Sequence, residues 1–274
     1  MSSERRIRTA LITGGGRGLG RAIAERLAES GTRVGLVART LSEVEATARA
    51  IADGGGEAKA LAADVLDDAG LRKALGRFGE WAGGVCDTLV CAAGRFRGIG
   101  AIGAVAADEW WKDVETALRG AHNAIRETLQ LLRASDAATI SVLVGPGHNG
   151  ELAFGSGYAM AQAGLVRLVE CLAREFRPDG PAIYAVNPGL VPTDLTQHLL
   201  SDPEARRRLP RFNEAFAEGK EVGPEVVAEM VEWLAAERPL ALSGRVVAAP
   251  ATPTILETRL DRIEAEDLLR LRLR

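Results

Sequence analysis

Short apolar runs alternate along the chain with longer segments in which apolar residues recur every three to four positions. The short runs predict strands at Ile7–Ile12, Arg33–Ala38, Ala58–Ala62, Thr88–Cys91, Thr139–Val144, Ala182–Val186 and Arg245–Ala249. The amphipathic segments predict helices at Gly18–Ser30, Ser42–Asp53, Asp67–Trp81, Asp108–Arg133 and Ser156–Phe176, then at about Thr196–Glu218 and Pro224–Glu237. Gly54-Gly55-Gly56 and Pro178-Asp179-Gly180 supply helix stops. No fixed-period repeat, low-complexity tract or long linker interrupts the alternation.

Strands and helices in this order imply right-handed βαβ units and a parallel sheet covered on both faces. Seven strands in one unbroken alternation predict a single doubly wound α/β domain over residues 1–274. A (β/α) barrel alternates too, but it needs an eighth unit and carries its phosphate site late in the chain. Here the glycine cluster follows the first strand.

Composition narrows the function classes. With 274 residues, 47% hydrophobic and 26% charged, the chain is an ordinary globular protein. A net charge of −3 gives no strong pull on nucleic acid or an anionic membrane. No apolar run is long enough to span a bilayer, and the start shows no secretory pattern, so a cytoplasmic location is expected. Three cysteines, Cys86, Cys91 and Cys171, lack C-x-x-C spacing and argue against a structural metal. The chain has 31 glycines and only 4% aromatics, a composition suited to close helix-on-sheet packing.

The candidate chemistry begins at Thr13-Gly14-Gly15-Gly16-Arg17-Gly18-Leu19-Gly20, directly after the first strand and opening the first helix. A dinucleotide site needs that context: glycines for the turn and close backbone approach, and helix-end N–H groups facing the diphosphate. The second strand ends Val37-Ala38-Arg39, with no carboxylate for a ribose 2′-hydroxyl. Arg17 and Arg39, with no acid beside them, predict NADP(H), with NAD(H) the alternative.

These residues resemble the short-chain dehydrogenase/reductase family, whose loop has the spacing T-G-x-x-x-G-x-G. The resemblance runs over roughly residues 7 to 250. Asp64-Val65 resembles the adenine-contacting pair, and Cys91-Ala92-Ala93-Gly94 the family's Asn-Asn-Ala-Gly segment. Pro188-Gly189-Leu190-Val191-Pro192-Thr193 is similar to the P-G-x-x-x-T segment at the nicotinamide end. The resemblance implies a Rossmann fold. It also implies a site of Asn, Ser, Tyr and Lys, in which the tyrosine moves a proton while hydride is exchanged with the nicotinamide.

Only the tyrosine is present. Tyr158 opens Tyr158-Ala159-Met160-Ala161-Gln162, so glutamine stands where the family has lysine. The serine position falls on Gly145, which predicts open space, and the asparagine position on Ala117. An ammonium about 4 Å from a phenolate is worth about 4 kcal/mol at an effective dielectric near 20, or roughly three pKa units. Without it Tyr158 stays near the phenol value of about 10, which handicaps oxidation more than reduction.

His148 and Glu151, in the loop before the Tyr158 helix, are the remaining acid/base candidates. Ser156 reads as a helix N-cap, Glu115 as an exposed helix residue and Cys91 as a small buried apolar residue. The expectation is an NADP(H)-binding enzyme acting on a carbonyl- or hydroxyl-bearing small metabolite through a non-standard site. Its chemistry is an atypical reduction or a non-redox acid/base step such as cyclisation, dehydration or an aldol-type reaction. A catalytically inactive subunit partnering an active homologue, and an ordinary NAD(P)H-dependent ketoreductase, are the alternatives. Residues of about 190–220 are expected to form a substrate lid. Residues 255–274 are expected to form an amphipathic tail packed on a neighbouring subunit, in a homodimer, homotetramer or hetero-oligomer.

Overall fold

The computed structural model describes residues 7–272, so the first six and last two residues of the expected domain lie outside it. Seven strands form one sheet in the order β3-β2-β1-β4-β5-β6-β7, parallel throughout. They are β1 (Thr9–Thr13), β2 (Arg33–Ala38), β3 (Ala58–Ala62), β4 (Thr88–Cys91), β5 (Thr139–Leu143), β6 (Ala182–Asn187) and β7 (Val246–Ala248). The order reverses between β1 and β4, so a crevice opens at their carboxyl ends, where doubly wound sheets bind ligands.

Alternation along the strands divides the core. Leu11 of β1 packs with α3 (Asp68–Ala82), α5 (Gly120–Arg133) and α6 (Ser156–Glu175). Its neighbours Ala10 and Ile12 pack with α1 (Gly18–Glu29), α2 (Leu41–Asp53) and α10 (Pro224–Glu237) on the other face. Small residues let large ones in: the fully buried Phe78 of α3 lies directly over Gly35 of β2.

Two expected helices are interrupted. The segment expected to run unbroken from Asp108 to Arg133 is α4 (Ala107–Val114), a π-turn at Glu115–Arg119, then α5. The wider turn carries Ala117, and such bulges concentrate at functional sites. The segment at Thr196–Glu218 is three short helices: α7 (Asp194–Ser201), α8 (Pro203–Arg208) and α9 (Pro210–Ala217). Pro203 and Pro210 each begin a new helix, because proline fits a first turn and breaks an interior.

The tail, expected on a neighbouring subunit, makes contacts within its own chain. Beyond α11 (Pro253–Glu257) and α12 (Leu260–Ala265), it packs back on its own chain. Val246 N–H donates to the Leu269 carbonyl at 2.8 Å, covering the edge strand β7. Leu271 N–H reaches the buried Glu170 carboxylate of α6 at 2.8 Å. Among the described residues, no helix is long and apolar enough to cross a membrane.

At the opposite end of the sheet, buried Asp87 latches β1 in place. It accepts from Arg8 N–H at 2.8 Å, Thr9 N–H at 3.2 Å, the Arg8 guanidinium at 3.1 Å and the Ser135 hydroxyl at 2.7 Å. Burial works against its charge, but the hydrogen bonds from Arg8 and Ser135 prevail and hold its pKa below the ordinary value. Asp87→Ala is expected to lower the unfolding free energy by about 2–4 kcal/mol at pH 7. The folded-state pKa is depressed, so this contribution is present above the unfolded value and lost as pH falls through the folded one. Urea denaturation curves of wild type and variant should converge only in strong acid.

Candidate active site at the sheet switch point

The crevice holds a cavity of about 280 Å³ lined from the carboxyl ends of β1, β2, β4 and β5. Its floor is a close backbone crossing. Gly14 has φ +71°, and a Cβ there would sit 2.9 Å from the Ala92 carbonyl and the Ala93 nitrogen. A Cβ on Gly20 would collide with the Gly14 carbonyl. Gly14 N–H donates to the Val37 carbonyl at 2.8 Å, tying the loop to β2. The first turn of α1 has no side-chain cap, whereas Asp67 accepts from the first N–H groups of α3. The leading N–H groups of α1 are therefore available to an anion in the cavity.

Most of the residues singled out from the sequence line this cavity. Gly14, Gly16, Arg17, Gly18, Leu19 and Gly20 come from the loop, Arg39 from the end of β2, and Asp64 and Val65 from beyond β3. Ala92, Ala93 and Gly94 follow β4; Ala117, Tyr158, Gln162, Pro188 and Thr193 complete the far wall. Thr13, Cys91, Gly189 and Val191 do not line the cavity. Thr13 is buried and its hydroxyl accepts from Ala93 N–H at 3.4 Å, fixing the β4 exit. The Cys91 thiol is buried, which pushes its pKa up to about 12 and makes it inert packing.

The electrostatics at the β2 end of the cavity differ from the expectation of two unopposed arginines. Arg17 pairs with Asp194 at 3.2 Å and Glu43 at 3.9 Å. Glu43 is a lining acid, carried by the first turn of α2 against Gly16. Arg39 is exposed, lines the cavity and makes no ion pair among the described residues.

At the other end the open space expected at Gly145 is filled. A Cβ built there would overlap the Tyr158 hydroxyl, so the tyrosine occupies the volume that a serine side chain would need. Phe96 stacks on the Tyr158 ring at 4.2 Å with planes 15° apart. Burial raises the Tyr158 pKa above its ordinary value, and the nearby Asp113 charge raises it further. Its hydroxyl makes no hydrogen bond among the described residues. Gln162 is buried, and its Oε1 accepts from Gly145 N–H at 2.8 Å. A lysine could not accept that bond, so glutamine here is a structural partner of Gly145.

His148 grips the same residue from the other side. Its Nδ1 lies 2.8 Å from the Gly145 carbonyl, which can only accept, so Nδ1 carries the proton. His148 is buried but does not line the cavity, and Glu151 is exposed and away from it. Ser156 is not the cap of α6, which is Gly155; its hydroxyl accepts from Trp110 Nε1 at 2.9 Å. Glu115 is exposed as expected.

Two further residues shape the wall. Asp113, 1% exposed, accepts from Arg97 N–H at 2.9 Å and Gly98 N–H at 2.7 Å and pairs with Arg95 at 3.3 Å. Desolvation raises its pKa. It holds the loop that presents Phe96. The signal was an aspartate on the helix face of Trp110 and Ala117, at i−3 and i+4 spacing. Phe96 carried no such signal.

A family model described as short chain dehydrogenase matches residues 8–204. The chain belongs to that family. It is 32% identical over 244 residues to the 3-oxoacyl-[acyl-carrier-protein] reductase FabG of Escherichia coli, covering 87% of this chain and 93% of that one. It is 30% identical over 247 residues to the rhamnolipids biosynthesis 3-oxoacyl-[acyl-carrier-protein] reductase of Pseudomonas aeruginosa, covering 88% and 93%. Among solved family structures, levodione reductase superposes with a TM-score of 0.80 at 27% identity, over 89% of this chain and 98% of that one. A variant of actinorhodin polyketide ketoreductase with NADPH gives 0.79 at 26%, over 88% and 95%.

The Gly145–Tyr158 packing yields a stability test. Gly145→Ser is expected to cost about 1–3 kcal/mol by overpacking. In a Tyr158→Phe background, which removes the overlapping oxygen, the cost should fall by about 0.5 kcal/mol or more. Urea denaturation of the four proteins of the cycle measures both; equal costs in the two backgrounds would refute the contact.

Proposed function

We propose that the chain is an NADP(H)-binding short-chain reductase with a non-standard site, in which Tyr158 acts as a neutral acid toward the carbonyl oxygen of a small metabolite. The carrying observation is the state of Tyr158: a buried phenol on the cavity wall, its pKa raised, its hydroxyl without a partner among the described residues. The similarity to 3-oxoacyl reductases and to a polyketide ketoreductase supports the same direction.

The cradle fits a nicotinamide dinucleotide. Close approach at Gly14 and Gly20 and the uncapped start of α1 suit the diphosphate, and Asp64 and Val65 suit the adenine. Arg39, a lining cation without a carboxylate partner among the described residues, suits a 2′-phosphate. The bound nicotinamide would supply the hydride. Tyr158 then gives its proton to the substrate oxygen, and the resulting tyrosinate, a strong base at that depth, recovers a proton from solvent. Its raised pKa also makes it a weak acid, so reduction is slow, and the reverse reaction lacks its base near neutral pH. Gln162 keeps Gly145, and with it the Tyr158 hydroxyl, in place, and its Nε2 donors are left for a ribose hydroxyl. Phe96 stacks on the phenol ring and holds it in place on the cavity wall.

Arg39→Glu should weaken NADPH binding by about 10- to 100-fold and leave NADH nearly unchanged. Fluorescence titration with both nucleotides checks this; equal losses would remove the NADP(H) preference. In NADPH oxidation assays over a panel of aldehydes and ketones, Tyr158→Phe should lower the rate by about 100-fold or more. The acid form of Tyr158 is present below its pKa and lost as pH rises through it. Because that pKa is raised, reduction should persist past the ordinary phenol value of about 10. Tight NADPH binding with no turnover across the panel would instead favour a nucleotide-binding subunit without catalysis.

A further inference from the structure

The charged side chains around the cavity are not equivalent. Arg17 is neutralised by Asp194 and Glu43, and Arg95 by Glu109 and Asp113. Two lining arginines have no carboxylate partner among the described residues, and they sit at opposite ends. Arg39, at the end of β2, is accounted for by the nucleotide. Arg97 is not.

Arg97 stands beside the proposed acid. It follows Phe96, whose ring stacks on Tyr158. Its backbone is pinned by the buried Asp113, which accepts from Arg97 N–H and Gly98 N–H. Its guanidinium meets His198 Nδ1 of α7 at 2.6 Å. The next residue of α7, Leu199, packs in one cluster with Phe96 and Tyr158. Thus Arg97 bridges the β4 exit loop to the helix that closes the substrate end, and Leu195 of the same helix lines the cavity.

The Arg97–His198 contact leaves the positive charge uncancelled. A guanidinium only donates, so His198 Nδ1 accepts, and the neutral ring carries its proton on Nε2. Burial, and then the Arg97 charge, lowers the His198 pKa, opposed by Asp202. Asp202 itself is engaged as the cap of α8, accepting from Ala205 N–H at 2.8 Å. A backbone-pinned cation whose partner is a neutral base, on the wall of a cavity, is a receptor for a carboxylate.

We propose that Arg97 selects the substrate: the carbonyl compound reduced here carries a carboxylate, bound by the Arg97 guanidinium while its carbonyl oxygen faces Tyr158. This rests on the reading of the site as a reductase and names its substrate class. Arg97 is a specificity residue and takes no part in proton transfer.

The test uses 4-formylbenzoate and its uncharged methyl ester. The full chain loaded with NADP+, which cannot turn over an aldehyde by reduction, is titrated with each by calorimetry. NADPH oxidation with each is measured separately. Wild type should bind the acid about 10- to 100-fold more tightly than the ester. Arg97→Met should abolish that preference by weakening acid binding far more than ester binding; Arg97→Lys should retain part of it. Binding preference without turnover would sustain this inference and sink the reductase reading. Turnover of both compounds without a preference would do the reverse. No binding of either compound, or a preference that survives Arg97→Met, would overturn the assignment.

Discussion

At the carboxyl end of β1 two stretches of backbone cross with no room for side chains between them. Gly14 lies against the Ala92–Ala93 peptide, and Gly20 lies against Gly14. This crossing lets α1 start close to the sheet, with its leading N–H groups facing the gap between β1 and β4. The parallel order of the strands puts every other cavity residue within reach of that gap, because each βα loop emerges at the same edge. Thr13 and Cys91 belong to this framework. One holds the β4 exit by a hydrogen bond, and the other fills the layer beneath.

A second constraint governs the far wall. Gly145 is held at both its polar atoms, N–H by Gln162 and carbonyl by His148, and its missing side chain is replaced by the Tyr158 hydroxyl. Read alone, a glycine and a glutamine at polar positions look like losses. Together they form a packed and hydrogen-bonded unit, in which glutamine is an acceptor that lysine could not be. The cost falls on acidity: Tyr158 sits deep, beside the Asp113 charge and under Phe96, and its proton is held tightly.

The strands and most helix bounds were legible because burial on both sheet faces imposes continuous apolar runs, and amphipathic helices impose their own period. The interruptions were less so. Pro203 and Pro210 are visible markers, but whether proline ends a helix or begins another depends on what the flanking turns pack against. The π-turn at Glu115–Arg119 leaves the apolar period almost unchanged, so its presence was silent. The tail's leucines pointed to a neighbouring subunit, whereas the contact seen is with the edge of β7 in the same chain.

By itself, the sequence determined the sheet, the position of the glycine loop and the place of Tyr158 at the head of the helix that borders the crevice. Those follow from local pattern and from steric limits that act on single residues. Pairing was decided only by the tertiary structure. Arg17 and Arg39 look alike in the chain, yet Asp194 lies 177 positions from Arg17 and neutralises it. Arg95 and Arg97 are two residues apart, yet Asp113 and Glu109 claim the first and leave the second to a neutral histidine. Which charges remain free to meet a ligand depends on distances across the fold, and sequence separation carries no measure of these.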